Sequence, residues 1–424
     1  FIADKSQPWE VDAESEDVNA AFFDANGDGS PDLYVVSGGN EYMDGSPEYA
    51  DRLYLNDGKG GFSKAVSALP QMSSSKLAIA VTDFDKDGDT DIFVGGNCMP
   101  GSFPYAARSY LLRNDSKGNQ IHFTDVTEAI CKELLYPGMV TAATWTDLNK
   151  DNYPELLIVG DWMPVQLFQN ESGVLQNVSV AAGLNKTNGM WSSIVADDID
   201  NDGDIDFVAG NCGINNQFKS SVKEPMTMYA NDFDDNGTVD PVVCYYIQGR
   251  SYPMASRDEL LDAIVPLRKK FVKYRDYADA TVESIFSKNK VNASKQYYCY
   301  QLSSCLLINK GNNSFTVQPL PAEAQFSKVY GILVKDFDKD GIKDIFLAGN
   351  FYPYRVQLGR CDASLGVLLK GNPDKIYEAV PHSRSGLYVD GEVRRIVSLK
   401  NEKKQSLIIM AKNNDNIQVI KENE

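Results

Sequence analysis

The stretch IAVTDFDKDGDTDIFV, residues 79–94, decides how the chain is read. Its middle is a nine-residue phrase, D-x-[DN]-x-[DN]-[GN]-x-x-[DE], held between two short runs of β-branched and aromatic residues. The phrase occurs six times: DANGDGSPD at 24–32, DFDKDGDTD at 83–91, DLNKDNYPE at 147–155, DIDNDGDID at 198–206, DFDDNGTVD at 232–240 and DFDKDGIKD at 336–344. Self-similarity of this kind announces a repeat architecture. Side-chain oxygens at positions 1, 3, 5 and 9, with Gly at position 6 for a sharp turn, are what a hard cation with six or seven oxygen ligands needs. The ligand candidates are Asp24, Asn26, Asp28 and Asp32; Asp83, Asp85, Asp87 and Asp91; Asp147, Asn149, Asp151 and Glu155; Asp198, Asp200, Asp202 and Asp206; Asp232, Asp234, Asn236 and Asp240; and Asp336, Asp338, Asp340 and Asp344. The loops offer neither His nor Cys, so transition metals are disfavoured and up to six structural Ca²⁺ ions are expected. An EF-hand would need a Glu at position 12. That position holds Val35, Val94, Ile158, Ala209, Val243 and Leu347.

The runs around each phrase, such as 20–23 before and 33–36 after the first copy, suit buried strands, so the phrase is a strand-to-strand turn. A second signal follows most copies: LYLNDGKGGF at 53–62, YLLRNDSKGN at 110–119 and LLINKGNNSF at 306–315. These read as hairpins with Asn/Asp/Gly turns, which makes four strands per unit. The first Asp residues lie about 62 apart on average, leaving room for about seven units. Radial repetition of four-stranded sheets gives an all-β, seven-bladed β-propeller, with six or eight blades also admissible. The segments at 393–399, 406–411 and 416–421 read as a last unit without a metal loop or fourth strand. Residues 1–5 are expected to supply that edge, closing 1–424 as one domain through its two ends. The fourth and fifth motifs are only 34 residues apart, too close for a whole unit, so the fifth could instead close an outer hairpin of the fourth.

Charge narrows the partners. Fifty-nine acidic against 41 basic residues give a formal charge of −18, the wrong sign for holding nucleic acid. No run of eighteen apolar residues suggests a membrane span, and the opening Phe1-Ile2-Ala3-Asp4 reads as the start of a piece of a longer polypeptide. The seven cysteines lack paired metal-binding spacing, and Cys299 with Cys305 is the one pairing worth testing.

With these residues in view, the copies resemble the FG-GAP/VCBS repeats of calcium-binding β-propellers, the class that includes integrin α-subunit propellers. The longer phrases at 160–170, 192–218, 243–260 and 388–396 are similar to large secreted Bacteroidetes VCBS-repeat proteins, several of which also carry an ASPIC/UnbV segment and a second propeller. That resemblance implies a secreted, cell-envelope protein, at the cell surface or in the periplasm, acting as a binding or scaffold module.

Connections from second to third strand must emerge at the end opposite the metal turns. They are long, at 39–51, 96–108, 210–225, 247–300 and 349–365, with a shorter one at 160–164, and a loop-rich face is where ligands collect. Four begin Gly-Asn. The candidate ligand residues there are Asn40, Tyr42, Asn97, Tyr105, Arg108, Trp162, Asn211, Phe218, Asn350, Tyr352, Tyr354 and Arg355. Aromatic faces with amide and guanidinium donors suit a glycan or a surface protein. An Asn after Gly is equally a plain turn residue. Within 250–300, Ser256 and Glu259 have capping-box spacing, and Leu260, Ile264, Leu267, Phe271 and Tyr274 form a helical stripe interrupted at Pro266. A helical insertion near 256–290 on the loop face follows. Its basic run Arg268, Lys269, Lys270, Lys273 and Arg275 reads as a solvated face, or as a contact for an anionic glycan or lipid.

A catalytic role finds little in the sequence. His122 and His382 are the two histidines, and no hydrolase, zinc-protease or nucleotide-binding motif occurs. The expectation is a non-enzymatic module. A polysaccharide lyase or glycosidase using carboxylates from different units is the alternative.

Overall fold

The computed structural model describes residues 5–118, 120–353, 359–374, 376–401 and 403–422. They form two compact units. One takes the described residues of Phe1–Ser179, Lys186–Asn188 and Lys219–Tyr300; the other takes those of Val180–Asn185, Gly189–Phe218 and Gln301–Glu424.

In the first unit, antiparallel strands follow one another in chain order. Asp17–Phe23, Asp32–Ser37, Arg52–Asn56 and Phe62–Lys64 make the first sheet, and Lys76–Thr82, Asp91–Gly96, Tyr110–Asn114 and Phe123–Asp125 the second. Met139–Thr146, Glu155–Met163, Gln166–Glu171 and Val174–Asn177 continue the pattern in the third. The second strands read as unbroken apolar runs because both their faces are covered: every residue of Asp91–Gly96 is buried. Apolar side chains fill the space between neighbouring sheets, Tyr34 and Leu53 meeting Ile92 and Leu112, then Phe93 and Leu111 meeting Leu156 and Phe168. The architecture is mostly β, made of four-stranded antiparallel sheets of the kind that form propeller blades.

The second unit repeats this order. Ser193–Asp197, Asp206–Gly210, Cys305–Asn309 and Phe315–Pro319 form one sheet, and Val329–Lys335, Asp344–Gly349, Val367–Gly371 and Tyr377–Val380 the next. The last has three strands, Val393–Lys400, Ser406–Lys412 and Gln418–Lys421. The edge strand expected from 1–5 falls largely outside the described residues, and Lys5 lies in an exposed turn.

The fifth motif does not close an outer hairpin of the fourth. Asp206–Gly210 pairs directly with Cys305–Asn309, so the chain between them is an insertion inside one sheet. That insertion builds its own sheet in the first unit, ordered Arg250–Pro253, Asp240–Ile247, Met226–Asn231, Lys295–Cys299. The irregular motif spacing is the trace of this nesting.

Helices cover one face of the inserted sheet. Arg257–Ala263 starts on the expected capping box, Ser256 Oγ accepting from the Glu259 N–H and Glu259 Oε2 from the Ser256 N–H at 2.7 Å. Pro266 turns the following Val265–Lys269 into a 3₁₀ segment, which shifts the phase of the stripe. Leu260, Ile264, Leu267 and Phe271 are buried with Val242 and Cys244, while Tyr274 is exposed. The basic run is mostly spent locally: Arg268 on Asp262, and Lys270 on the carbonyls of Ser284 and Ile285. Cys299 and Cys305 are buried free thiols and do not pair.

Candidate metal centres

Every acidic phrase lies between the first two strands of a sheet, and its backbone does as much as its carboxylates. Positions 4 and 6 both take the left-handed conformation, as in Lys86 (φ 63°) and Gly88 (φ 101°), or Lys339 (φ 64°) and Gly341 (φ 89°). Asn152 occupies position 6 of the third loop at φ 73°, a conformation that Asn tolerates. The curl turns amide hydrogens onto the position-1 carboxylate. Asp336 Oδ1 accepts from Asp340 N at 3.2 Å and Oδ2 from Gly341 N at 2.9 Å; Asp24, Asp147, Asp198 and Asp232 repeat this pair. In the second loop Gly88 N reaches Asp83 Oδ2 at 3.2 Å.

Position 9 works differently. It is buried in all six loops: Asp32, Asp91, Glu155, Asp206, Asp240 and Asp344. In the loops of Asp32, Asp91, Glu155, Asp240 and Asp344 one oxygen clasps the position-2 N–H across the turn, as Asp91 Oδ2 does with Phe84 N at 3.0 Å. The other takes an N–H from the end of the third strand: Asn56 to Asp32 at 2.7 Å, Asn114 to Asp91 at 2.8 Å, Asn309 to Asp206 at 2.8 Å and Gly371 to Asp344 at 3.0 Å. A single carboxylate thus fixes three strands. Burial pushes Asp91 and Glu155 up to about 7 and Asp206 up to about 6, with neighbouring loop carboxylates adding to the rise.

Positions 1, 3 and 9 converge. Oxygens of Asp83, Asp85 and Asp91 lie within 4.8 Å of one another, as do those of Asp198, Asp200 and Asp206; Asp232, Asp234 and Asp240; and Asp336, Asp338 and Asp344. Asp83 Oδ1 and Asp234 Oδ1 are buried from solvent with no hydrogen-bond partner. Buried oxygens left without a donor, beside like charges, fit a cation that supplies the missing partner. In the first and third loops position 3 is an amide. Asn26 Nδ2 donates to Asp28 at 3.0 Å and Asn149 Nδ2 to Asp151 at 2.9 Å, so these loops carry one charge fewer and an internal donor. The position-5 side chains Asp28, Asp87, Asp151, Asp202, Asn236 and Asp340 each accept the N–H two residues on.

Sequence reasoning missed a residue that completes these loops. The third strand ends in Asn at 56, 114 and 309, and Asn170 is the last residue but one of Gln166–Glu171. Asn114 Nδ2 donates to Ala25 O in the preceding sheet's loop at 3.1 Å, and Asn170 Nδ2 to Phe84 O at 2.9 Å. In the second unit Tyr377 Oη reaches the matching carbonyl, Ile199 O, at 3.3 Å. The position-2 peptide therefore gives its N–H to its own loop and its C=O to the next sheet. The repeated ending in LYLN, LLRN, LFQN and LLIN was the available signal.

The proposed ligand residues separate into two groups. Asn97, Asn211 and Asn350 are tied to backbone: Asn97 Nδ2 to Val140 O, Asn211 Nδ2 to Gln301 O and Asn350 Nδ2 to Gly391 O, at 3.0–3.1 Å. The glycine before each has a packing reason, since a Cβ on Gly349 would lie 1.7 Å from Lys328 O. Trp162 and Phe218 are buried; Trp162 lies in a second strand that runs to Met163, so 160–164 is not an exposed loop. Asn40 is exposed, its Oδ1 accepting from Gly101 N. Tyr42, Tyr105, Arg108 and Tyr352 are partly exposed, Arg108 paired with Asp125 at 2.7 Å and Tyr352 lying under Arg360. Tyr354 and Arg355 fall outside the described residues. His122 and His382 are exposed, His382 Nδ1 lying 2.8 Å from Leu387 O.

Comparison with protein families matches residues 24–94 and 147–209 to the FG-GAP-like repeat. These segments hold the first four acidic loops. No curated protein matches the chain. Among solved structures it is similar to Saccharomyces cerevisiae Sqt1, at 11% identity over 93% of this chain and 84% of that one, with a TM-score of 0.40. BBS1N in complex with ARL6DN gives 7% identity, 96% and 78% coverage and a TM-score of 0.38. YCF48 bound to D1 peptide gives 9% identity, 94% and 91% coverage and 0.31. No helix among the described residues is long and apolar enough to cross a membrane.

Proposed function

We propose that this chain, which carries FG-GAP-like repeats on four-stranded sheets, is a calcium-stabilised, non-enzymatic binding or scaffold module of the cell envelope with a glycan or protein ligand. The observation that carries the reading is the convergence of position-1, -3 and -9 oxygens in the second, fourth, fifth and sixth loops, with buried oxygens of Asp83 and Asp234 lacking a donor. Positions 1, 3, 5 and 9 would hold the ion, and the ion would supply positive charge to carboxylates that otherwise repel one another. The chain's own part is already built: left-handed residues aim amides at position 1, and the position-9 acid joins first, second and third strands. At free calcium about ten times a loop's dissociation constant, binding adds roughly 1.4 kcal/mol per loop. Several such loops rival the typical ~5–15 kcal/mol stability of a domain. Extracellular sites of this class work where calcium is abundant, which agrees with a secreted or periplasmic setting within a longer polypeptide.

Asn40, which is exposed, and Tyr42, Tyr105, Arg108 and Tyr352, which are partly exposed, are the candidates for ligand contact. A glycan and surface-protein binding screen, run with calcium and with chelator, tests the reading. Calcium-dependent capture of a glycan or protein supports it. Turnover of a polysaccharide by the purified chain would overturn the non-enzymatic assignment.

A further inference from the structure

We infer that the sixth acidic loop carries its own counter-ion, Lys370, which competes with calcium for Asp338 and Asp340 and so makes this loop bind more weakly than the second. The inference rests on the calcium reading above and concerns how one site of that set is tuned.

The second and sixth loops have the same four aspartates at positions 1, 3, 5 and 9. Within the loops positions 7 and 8 differ, Asp89 and Thr90 against Ile342 and Lys343, but Lys343 pairs with Asp197, and the cation that meets the sixth loop's ligands comes from a neighbouring strand position. Asn114 and Gly371 give their N–H groups to the position-9 acids Asp91 and Asp344, so the residues before them, Arg113 and Lys370, are equivalent in register. Arg113 spends its hydrogen bonds on Asp115, Nε lying 2.9 Å from Oδ1 and Nη2 3.3 Å from Oδ2, and acts on Asp85 and Asp87 only through space. The residue matching Asp115 beside Lys370 is Asn372, which has no charge to offer. Its Oδ1 is occupied by the N–H groups of Asp374 at 3.1 Å and Ile376 at 3.0 Å. Lys370 therefore reaches the loop, where Nζ pairs with Asp338 and lies 3.0 Å from Asp340 Oδ2. These are the third and fifth ligand positions.

A divalent ion entering this loop must displace the ammonium or sit beside it. A unit charge about 5 Å from a divalent ion lowers affinity on the order of tenfold even at the dielectric of water. Swinging a half-exposed lysine into solvent recovers part of that, so a three- to tenfold handicap is expected. The same ammonium screens the carboxylates when calcium is scarce. The sixth loop thus keeps its shape without the ion and loads later than the second.

Calcium titration by calorimetry of the parent chain and of Lys370→Met tests this, paired with melting in calcium and in EDTA. The expected result is a three- to tenfold tightening of one class of sites, with a lower Tm in EDTA and a higher Tm in calcium. Arg113→Met, which removes a cation that makes no direct contact with its loop, should change the titration less than Lys370→Met does. Lys370→Met on an Asp336→Asn background should show no tightening, which locates the gain in the sixth loop. Unchanged or weakened calcium binding in Lys370→Met, in a parent chain that takes up calcium, overturns the inference. A parent chain that takes up no calcium overturns the underlying reading with it, and that outcome is visible before any substitution is made.

Discussion

Two turns in the second unit join the first and second strands of neighbouring sheets and solve the same problem by different means. The turn at 336–344 is a nine-residue acidic loop. The turn after Val393–Lys400 is short and closes on Asn401, whose Oδ1 accepts from Lys403 N at 3.0 Å and Gln405 N at 2.9 Å, while Gln405 O accepts from Asn401 N at 3.1 Å. A polar side chain that satisfies its own turn is enough to reverse a strand. The acidic loop is larger because it does more. Asp344 also takes the Gly371 N–H from the third strand, and the matching loop at 198–206 offers Ile199 O to Tyr377 of the next sheet. Repeated carboxylates are thus fasteners between strands and between sheets, and their mutual repulsion is what a cation relieves.

The largest expected effect comes from removing a fastener. Asp91→Ala strands the buried amides of Phe84 and Asn114 and removes an ion ligand, so in calcium it should cost about 2–4 kcal/mol by denaturant unfolding. If it costs no more than Asn401→Ala, the contrast between the two turns is broken. Asn114→Ala removes the tie to Ala25 O and should cost about 1–2 kcal/mol. Because Asn114 is not an ion ligand, that loss should be alike in calcium and EDTA. Asn401→Ala should cost about 1 kcal/mol, also insensitive to EDTA.

Acidity provides a smaller test. Without an ion, Asp91 and Glu155 sit at about 7 and Asp206 at about 6, above their unfolded values near 4, so the folded chain holds protons that the unfolded chain has released. Such groups contribute stability that is full below pH 4 and lost as pH rises through 6–7. Melting in EDTA should therefore fall modestly from pH 5 to 7.5. Calcium takes the ionised carboxylates, so its stabilising increment should grow over the same range. A flat profile would place these carboxyls outside the clasps.

Much of this was legible because oxygen-bearing residues at fixed intervals leave a mark in sequence. The six loops, their strand-to-strand position, the three-stranded last sheet and the capping box at Ser256 all follow from local chemistry. The nested sheet did not, since strand pairing between Asp206–Gly210 and Cys305–Asn309 is decided across nearly a hundred intervening residues. The backbone ties of the Gly-Asn pairs were hidden for a related reason. Asn211 and Asn350 face backbone carbonyls contributed by distant segments, a tie that the residue type alone does not announce. Position 4 was also silent where it is Lys, because Lys86, Lys150 and Lys339 adopt a left-handed conformation that sequence usually assigns to Gly or Asn.

Hydrogen exchange measured with and without calcium separates the two kinds of turn most directly. The account predicts that calcium slows exchange of the amides at 83–91, 198–206 and 232–240 and of the third-strand ends that meet them, leaving 401–405 unchanged. Equal protection of the acidic loops and the Asn401 turn, or no protection of either, would contradict it.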